Sequence, residues 1–202
     1  MTPYLREAAK AGHQTALANF GSLGSWESSA AVAHCMWFLK DVALCRIYTY
    51  TPCHTDCSTK FAVSGLTVGL AEELKPFGIS VCSVEPGYTR TGFLANSGAG
   101  GSKDGHRVKT ARTLDVYDGT PAAAVRGAME AYNQKQPNDV VKSARVIVDV
   151  LTRSGVAEGR GEIPVRLVLG RDCLETARKM CEESLRVLGE WADVSESVGY
   201  DD

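Results

Sequence analysis

Residues 57–87 restrict the possible folds of this chain more than any other stretch. Apolar side chains recur there at intervals of four or five, as on one face of a helix; they are Phe61, Leu66, Leu70 and Leu74. The run from 75 to 78, which contains a proline and a glycine, ends the helix predicted over residues 57–75. Residues 79–84 then indicate a buried strand, and the turn at 85–87 follows it. A helix, a turn and a buried strand in this order predict an α/β protein with a Rossmann-like, doubly wound parallel sheet.

Further strands and helices are predicted on both sides of this unit. Residues 15–20 form a short apolar run that ends in a glycine-rich turn at 21–25, and residues 165–169 form another such run. Helical patterns occupy residues 121–133, 138–153 and 171–189. The last helix is predicted to bury a stripe made of Leu174, Ala177, Cys181, Leu185 and Leu188. We expect the three strands to lie parallel at one side of the sheet.

Two segments show little periodicity. Residues 97–118 are rich in glycine and charge and predict a mobile loop, and residues 195–202 read as a polar tail that need not be ordered. We therefore divide the chain into a partial domain over residues 1–190 and a tail over residues 191–202.

The composition excludes several classes of protein. With 202 residues, 44% hydrophobic and 23% charged, the chain has the profile of one globular domain. A net charge of −2 gives no electrostatic reason to expect nucleic acid or an anionic membrane as partner. No apolar run approaches the roughly 18 residues of a membrane span, and the N-terminus lacks the apolar core of a signal peptide. The sequence therefore predicts a cytoplasmic protein.

The chemically informative residues lie at the start of the predicted helix and after the strand that follows it. Ser58, Thr59 and Lys60 begin the helix, and Pro86 and Gly87 open the turn. Residues 58–94 resemble the short-chain dehydrogenase/reductase family almost continuously, and residues 1–34 and 120–190 resemble it more loosely. The lysine helix, the intervening strand and the PGxxxT turn, in this order and spacing, make the resemblance specific.

The resemblance implies reversible hydride transfer between NAD(P)(H) and a small carbonyl or alcohol substrate. In the family, a tyrosine four residues before the lysine is the acid and base, and the lysine ammonium favours its phenolate. Lys60 matches the lysine, which also holds the nicotinamide ribose. Ser22 matches the serine that binds the substrate oxygen, with Ser25 as the alternative. Cofactor binding by Pro86, Gly87, Thr89 and Thr91 is likewise implied, as is a homodimer or homotetramer.

Asp56 stands where the family has its tyrosine, four residues before Lys60. A carboxyl group with an ordinary pKa of about 3.9 would stay ionised beside an ammonium and could not protonate an alkoxide near neutral pH. The chain as written therefore lacks its acid.

The spacing of the serine suggests an insertion at residues 35–56. The family places its tyrosine about thirteen residues after the serine, and counting thirteen onward from Ser22 reaches Cys35, not Asp56. We interpret residues 35–56 as the product of a retained intron that splits one tyrosine codon between the codons of Cys35 and Asp56. Excision would give the sequence AHYCSTKFAV. This segment is rich in Cys, Trp and Tyr and matches no family element.

The phosphate-binding glycine turn of the family does not occur before residue 20, in either its GxGxxG or its GxxxGxG form. We therefore expect the chain to contain only the C-terminal portion of the domain, from an N-terminally truncated gene model. The choice between NAD and NADP cannot be read from these residues, and neither can the substrate.

Other readings of the chain receive less support. Cys53, His54 and Cys57 invite a zinc site, but their spacing does not match the common zinc patterns, so we predict no metal. A nucleophile elbow is excluded because Phe20 stands where the motif needs glycine. Two rivals remain: a non-catalytic scaffold or partner protein derived from the family, and a chain that is not stable on its own because it exposes a sheet edge.

Overall fold

A computed structural model describes residues 2–27, 52–92, 118–120, 123–124, 128 and 131–200; the side chains of residues 52–56 are outside this description. The strands are β1 (Thr15–Phe20), β2 (Ile79–Pro86) and β3 (Arg166–Leu169). The helices are α1 (Thr2–Lys10), α2 (Pro52–Leu74), α3 (Val140–Thr152), α4 (Arg171–Glu190) and α5 (Ala192–Glu196).

The three strands form a parallel sheet in the order β1-β2-β3, as the sequence predicts. Thr15 pairs with Ile79 at one end of the first ladder, and Ser83 pairs with Arg166 at the start of the second. With helices on both faces, the architecture is α/β and Rossmann-like.

Two apolar cores flank the sheet, one on each face. On one face Leu74 of α2 packs with Ile79 and Val81 of β2, and α1 adds Leu5 and Ala9. On the other face the core consists of Cys82, Val84 and Ile163, against which α3 packs Ile147, Val150 and Leu151. Side chains alternate between the faces of a strand, so β2 contributes to both cores.

The two helical connections in this sheet have opposite hands. Helix α2 joins β1 to β2 over one face, and α3 joins β2 to β3 over the other. Since both connections step in the same direction across the sheet, one of them must be left-handed. Left-handed crossovers between parallel strands are rare.

Two predicted boundaries are wrong. Helix α2 begins at Pro52 rather than Cys57, because proline at the first helical position has its φ preset and needs no hydrogen bond for the missing N–H. The helix ends at Leu74, and Gly78 closes the turn after it with a φ of 73°. Strand β2 continues through Glu85 and Pro86, which were expected in the turn.

The apolar stripe predicted on α4 is also wrong for most of its length. Ala177 is buried, but Leu185 and Leu188 are 69% and 65% exposed. The helix packs on the sheet only near its first turns, where Cys173 and Ala177 are covered. The predicted tail contains α5, and its residues through Tyr200 are exposed.

Some predictions lie outside the described residues. They are the inserted residues 35–51, the loop at 97–117 and most of the helix at 121–133. Among the described helices, none combines the length and apolar content that a bilayer span requires.

Candidate functional site

The candidate site lies at the carboxyl edge of the sheet. Ser22 follows β1, Gly87 follows β2, and Gly170 follows β3. Because the strands are parallel, their carboxyl ends share one edge, and ligands of open α/β sheets bind at that edge.

Ser22 caps a single 3-10 turn, Leu23–Ser25, directly after β1. Its Oγ accepts a hydrogen bond from the Gly24 N–H at 2.9 Å, which leaves the hydroxyl proton available for donation. A Cβ at Gly24 would lie 2.9 Å from the Cys57 Sγ, so the turn is in direct contact with α2. The turn therefore places Ser22 beside the helix that carries Lys60.

Ser25, the alternative serine, is 2% exposed. Its Oγ donates to the Lys60 carbonyl at 3.0 Å and accepts from the Ser22 N–H at 3.3 Å. The hydroxyl therefore donates one hydrogen bond that holds the turn against α2 and accepts another that closes the turn itself.

Lys60 extends from α2 toward the end of β1. Its Nζ donates to the Phe20 carbonyl at 3.1 Å, two residues before Ser22. An ammonium has three N–H donors, and this bond uses one of them. The structure thus brings Lys60 close to residues 22–25, called the serine turn below.

Asp56 lies on α2 four residues before Lys60. Residues four apart on a helix share a face, so the backbone places the two on the same side of α2. The Asp56 side chain is outside the described part of the chain, as are the side chains of Cys53 and His54 from the zinc alternative. Among the described residues, no group of three His, Cys, Asp or Glu side chains could hold a metal ion.

The turn after β2 is held by the first turn of α4. The Asp172 carboxylate accepts from the Tyr88 N–H at 2.6 Å and from the Asn138 side-chain amide at 2.8 Å. It lies so close to Gly87 that a Cβ at that position would overlap it. Glycine is therefore required at 87 by contact with a carboxylate of the protein itself.

Thr89 forms a parallel bridge with Asn138. The Asn138 N–H donates to the Tyr88 carbonyl at 3.2 Å, and the Asn138 carbonyl accepts from the Arg90 N–H at 2.9 Å. In a parallel bridge of this kind, Asn138 bonds the residues on either side of Thr89, so the Thr89 N–H and C=O point away from it. One donor and one acceptor are thus directed to the opposite side, while the Thr91 carbonyl accepts from Gln134 at 3.3 Å.

A fully buried carboxylate, Glu85, lies behind these elements, and sequence reasoning missed it. It accepts from the Arg166 Nε at 2.9 Å, the Trp26 Nε1 at 2.6 Å, and the hydroxyls of Ser64 and Ser83 at 2.7 and 2.9 Å. The signal was a charged residue beside or within each of two predicted strands, Glu85 directly after one and Arg166 near the start of the other, since charges in such positions need partners.

Two buried thiols lie near this group and are poor nucleophiles. Burial raises the pKa of Cys82 to about 11, and the Glu85 carboxylate adds to the shift. Burial likewise raises the pKa of Cys173 to about 12, with Asp172 contributing. Both remain protonated near neutral pH, so neither provides a thiolate.

An open cavity of about 660 Å³ lies between α2 and α4. Apolar side chains line most of it, including Phe61, Val68, Met180 and Leu185. Of the predicted site residues and alternatives whose side chains the structure describes, only Ser25 lines this cavity. It is therefore distinct from the edge where Ser22, Lys60 and Gly87 converge.

Comparisons with known proteins found a family model and a curated relative. The family model described as short chain dehydrogenase matches residues 53–101. Oxidoreductase BOA17 of Botryotinia fuckeliana is 27% identical over 138 residues, which cover 68% of this chain and 44% of that protein.

A solved structure has the same fold. The short-chain dehydrogenase from Streptomyces avermitilis superposes with a TM-score of 0.65 at 24% identity, covering 98% of this chain and 56% of that one. The chain spans about half the length of the relatives that it matches.

Proposed function

The chain belongs to the short-chain dehydrogenase family, and on that premise we propose that it carries the nicotinamide side of the active site of an NAD(P)-dependent oxidoreductase. One observation carries this proposal: the 3.1 Å bond from the Lys60 Nζ to the Phe20 carbonyl. It joins the lysine helix to the serine turn at the edge where the Pro86–Gly87 turn also lies. The substrate is a small carbonyl or alcohol in the cytoplasm.

The residues present fit a nicotinamide riboside. The remaining Lys60 donors are suited to the ribose hydroxyls, and the Thr89 N–H and C=O to the two ends of a carboxamide. Pro86 and Gly87 place that backbone at the sheet edge, and Thr91 lies two residues further on. When bound, the nicotinamide supplies or accepts the hydride.

Ser22 is the residue proposed to hold the substrate oxygen, because Ser25 already uses its hydroxyl to fasten the turn. A carboxyl group with an ordinary pKa of about 3.9 is ionised near neutral pH, so we do not assign the proton transfer to Asp56. We therefore propose that a tyrosine precedes Cys57 in the functional enzyme and that residues 35–56 are an insertion. Asp56 is also the one feature that favours the rival function, a non-catalytic scaffold.

Reduced nicotinamide mononucleotide is the appropriate probe, because it contains only the ring and ribose that these residues are proposed to contact. We expect saturable binding by fluorescence titration, and an affinity loss of about tenfold or more for Lys60→Ala, since a charge-assisted hydrogen bond is removed. Lys75→Ala, at an exposed lysine after the same helix, is the matched control and should bind normally. Equal affinity for the two variants would refute the proposal.

Self-association is proposed through the exposed apolar side chains of α2. Phe61, Leu66 and Val68 are 46%, 61% and 47% exposed there. Apolar side chains grouped on one helix are typical of a subunit interface. Sedimentation velocity distinguishes a dimer or tetramer from a monomer.

A further inference from the structure

Glu85 receives hydrogen bonds from α2, from β3 and from the residue that follows the turn at Ser22. Its carboxylate is 0% exposed and lies one residue before Pro86. Ser64, a donor at 2.7 Å, is on α2 one turn after Lys60. Trp26, a donor at 2.6 Å, directly follows the turn that begins at Ser22.

Arg166 of β3 completes the cluster and binds the serine turn directly. Its guanidinium lies 3.5 Å above the Trp26 ring and donates to the Ser25 carbonyl at 3.2 Å. At the same time its Nε donates to Glu85 at 2.9 and 3.1 Å. A Cβ at Gly21 would lie 2.9 Å from the Glu85 Cγ, so the chain before Ser22 rests on this cluster.

We propose that Glu85 is a positioning residue that sets the serine turn and the Lys60 helix relative to the Pro86–Gly87 turn; the catalytic part of this inference rests on the proposed function. Glu85 touches neither Ser22 nor Lys60 directly. It acts through Trp26 and Ser64, each of which donates a hydrogen bond to one of its two carboxylate oxygens.

The chemistry of the cluster requires a carboxylate. An ionised carboxylate offers about four acceptor positions, matching the donors from Trp26, Ser64, Ser83 and Arg166. Glutamine has nearly the same shape but presents two N–H donors, one of which would face another donor. Changing one carboxylate oxygen into an N–H donor is therefore enough to disrupt the match between acceptor and donors.

A role limited to stability predicts a different outcome. A buried ion pair is by itself weak evidence for stability, because desolvation offsets much of the attraction. If Glu85 served stability alone, its loss would weaken the whole sheet. If it positions the site, its loss weakens the serine turn first.

Hydrogen exchange on the full chain separates the two roles. The amides of Ser25 and Trp26 are bonded to the carbonyls of Ser22 and Leu23 at 2.9 and 3.0 Å. In Glu85→Gln we expect these amides to exchange about tenfold faster or more, while those of residues 81–84 change little. Equal acceleration in both segments, or none, would overturn the proposal.

Two further variants keep the test decisive where Glu85→Gln does not fold. Trp26→Phe and Ser64→Ala each remove one donor and leave the ion pair with Arg166, so each should accelerate exchange in the serine turn to a smaller extent. Glu175→Gln removes an exposed carboxylate partner of Arg171 on α4 and is the matched control, which should leave that exchange unchanged.

Binding of reduced nicotinamide mononucleotide is the second readout. Glu85→Gln and Trp26→Phe should both lower its affinity, and Glu175→Gln should not. If wild type and Lys60→Ala bind the probe equally, the proposed function fails. Hydrogen exchange in the serine turn still decides whether Glu85 positions that turn. If Glu85→Gln exchanges faster in the serine turn but binds the probe as tightly as a binding-competent wild type, only the proposed effect of Glu85 on the active site is contradicted.

Discussion

At the scale of single residues, the candidate site depends on close contacts that leave no space for larger side chains. Gly87 is the clearest example, because the Asp172 carboxylate occupies the position of its missing Cβ. That carboxylate also binds the Tyr88 N–H and the Asn138 amide, so displacing it would disturb the whole turn.

We expect Gly87→Ala to destabilise the protein by about 1–3 kcal/mol, since the added methyl group overlaps Asp172 and must displace it. Gly69→Ala is the control: Gly69 lies on α2 with open space around it, and alanine there should stabilise by about 0.5–1 kcal/mol. Urea unfolding measures both changes. A neutral Gly87→Ala would show that the turn accommodates the methyl group.

At the scale of elements, the start of α3 is connected to the turn that follows β2. Asp139 caps this helix by accepting from the Lys142 N–H at 2.9 Å. Asn138, the residue before it, bridges Thr89 and binds Asp172. The cap therefore determines where the bridging residue stands.

The cap also predicts a pH dependence. The hydrogen bond from Lys142 lowers the pKa of Asp139 below its ordinary value of about 3.9. Stability from this carboxylate is therefore present above about pH 4 and is lost as the pH falls through the lowered folded-state value. Asp139→Ala should lower the midpoint of thermal unfolding at pH 7, and the gap from wild type should shrink below about pH 4.

Asp139→Asn is the matched variant, because asparagine caps a helix without titrating in this range. It should keep its stability relative to Asp139→Ala at low pH. Differential scanning calorimetry between about pH 2 and pH 7 measures the differences in unfolding midpoint, because this range spans an ordinary carboxyl pKa of roughly 4. A wild-type gap that stays constant with pH would contradict the assigned cause.

At the scale of the whole molecule, the proposed insertion is the main question. The helix runs without interruption from Pro52 through the junction at Cys57. A tyrosine in place of Asp56 would therefore stand one helical turn before Lys60, with the ammonium available to favour its phenolate.

We predict that deleting residues 35–55 together with Asp56→Tyr creates a tyrosine whose pKa lies below the ordinary value of about 10. Phenolate absorbance during a pH titration measures it. The same deletion with Asp56→Phe identifies the signal by difference, and adding Lys60→Ala should return the pKa toward its ordinary value. An unshifted tyrosine, or a mature transcript that retains codons 35–56 in most copies, would remove support for the insertion.

Periodicity and turn residues were sufficient to predict most of the described fold. Strand β1, the C-terminal end of α2 and both ends of α4 fall within a residue or two of the sequence-based expectation, and the strands are parallel as predicted. These features depend on local patterns of apolar residues and on the conformational limits of proline and glycine, which a sequence displays directly.

The candidate site could be predicted only in part. Lys60, Ser22 and Gly87 were identified from their motif, and the structure brings their segments to one edge. Glu85 was misplaced into a turn, and the contributions of Asp172 and Arg166 were not anticipated. The bonds from Tyr88 to Asp172 and from Arg166 to Glu85 join residues 84 and 81 positions apart, and no local pattern indicates such pairs.

The sequence by itself determined the kind of sheet, the identity of the lysine helix and the glycine turn, and the conflict between Asp56 and the family's tyrosine. Only the tertiary structure decided which serine uses its hydroxyl to hold the turn, which way the Thr89 backbone faces, and that Glu85 joins the site from within the sheet. The physical reason is that a buried carboxylate is stable only where donors from distant segments meet it, and folding alone brings those segments together.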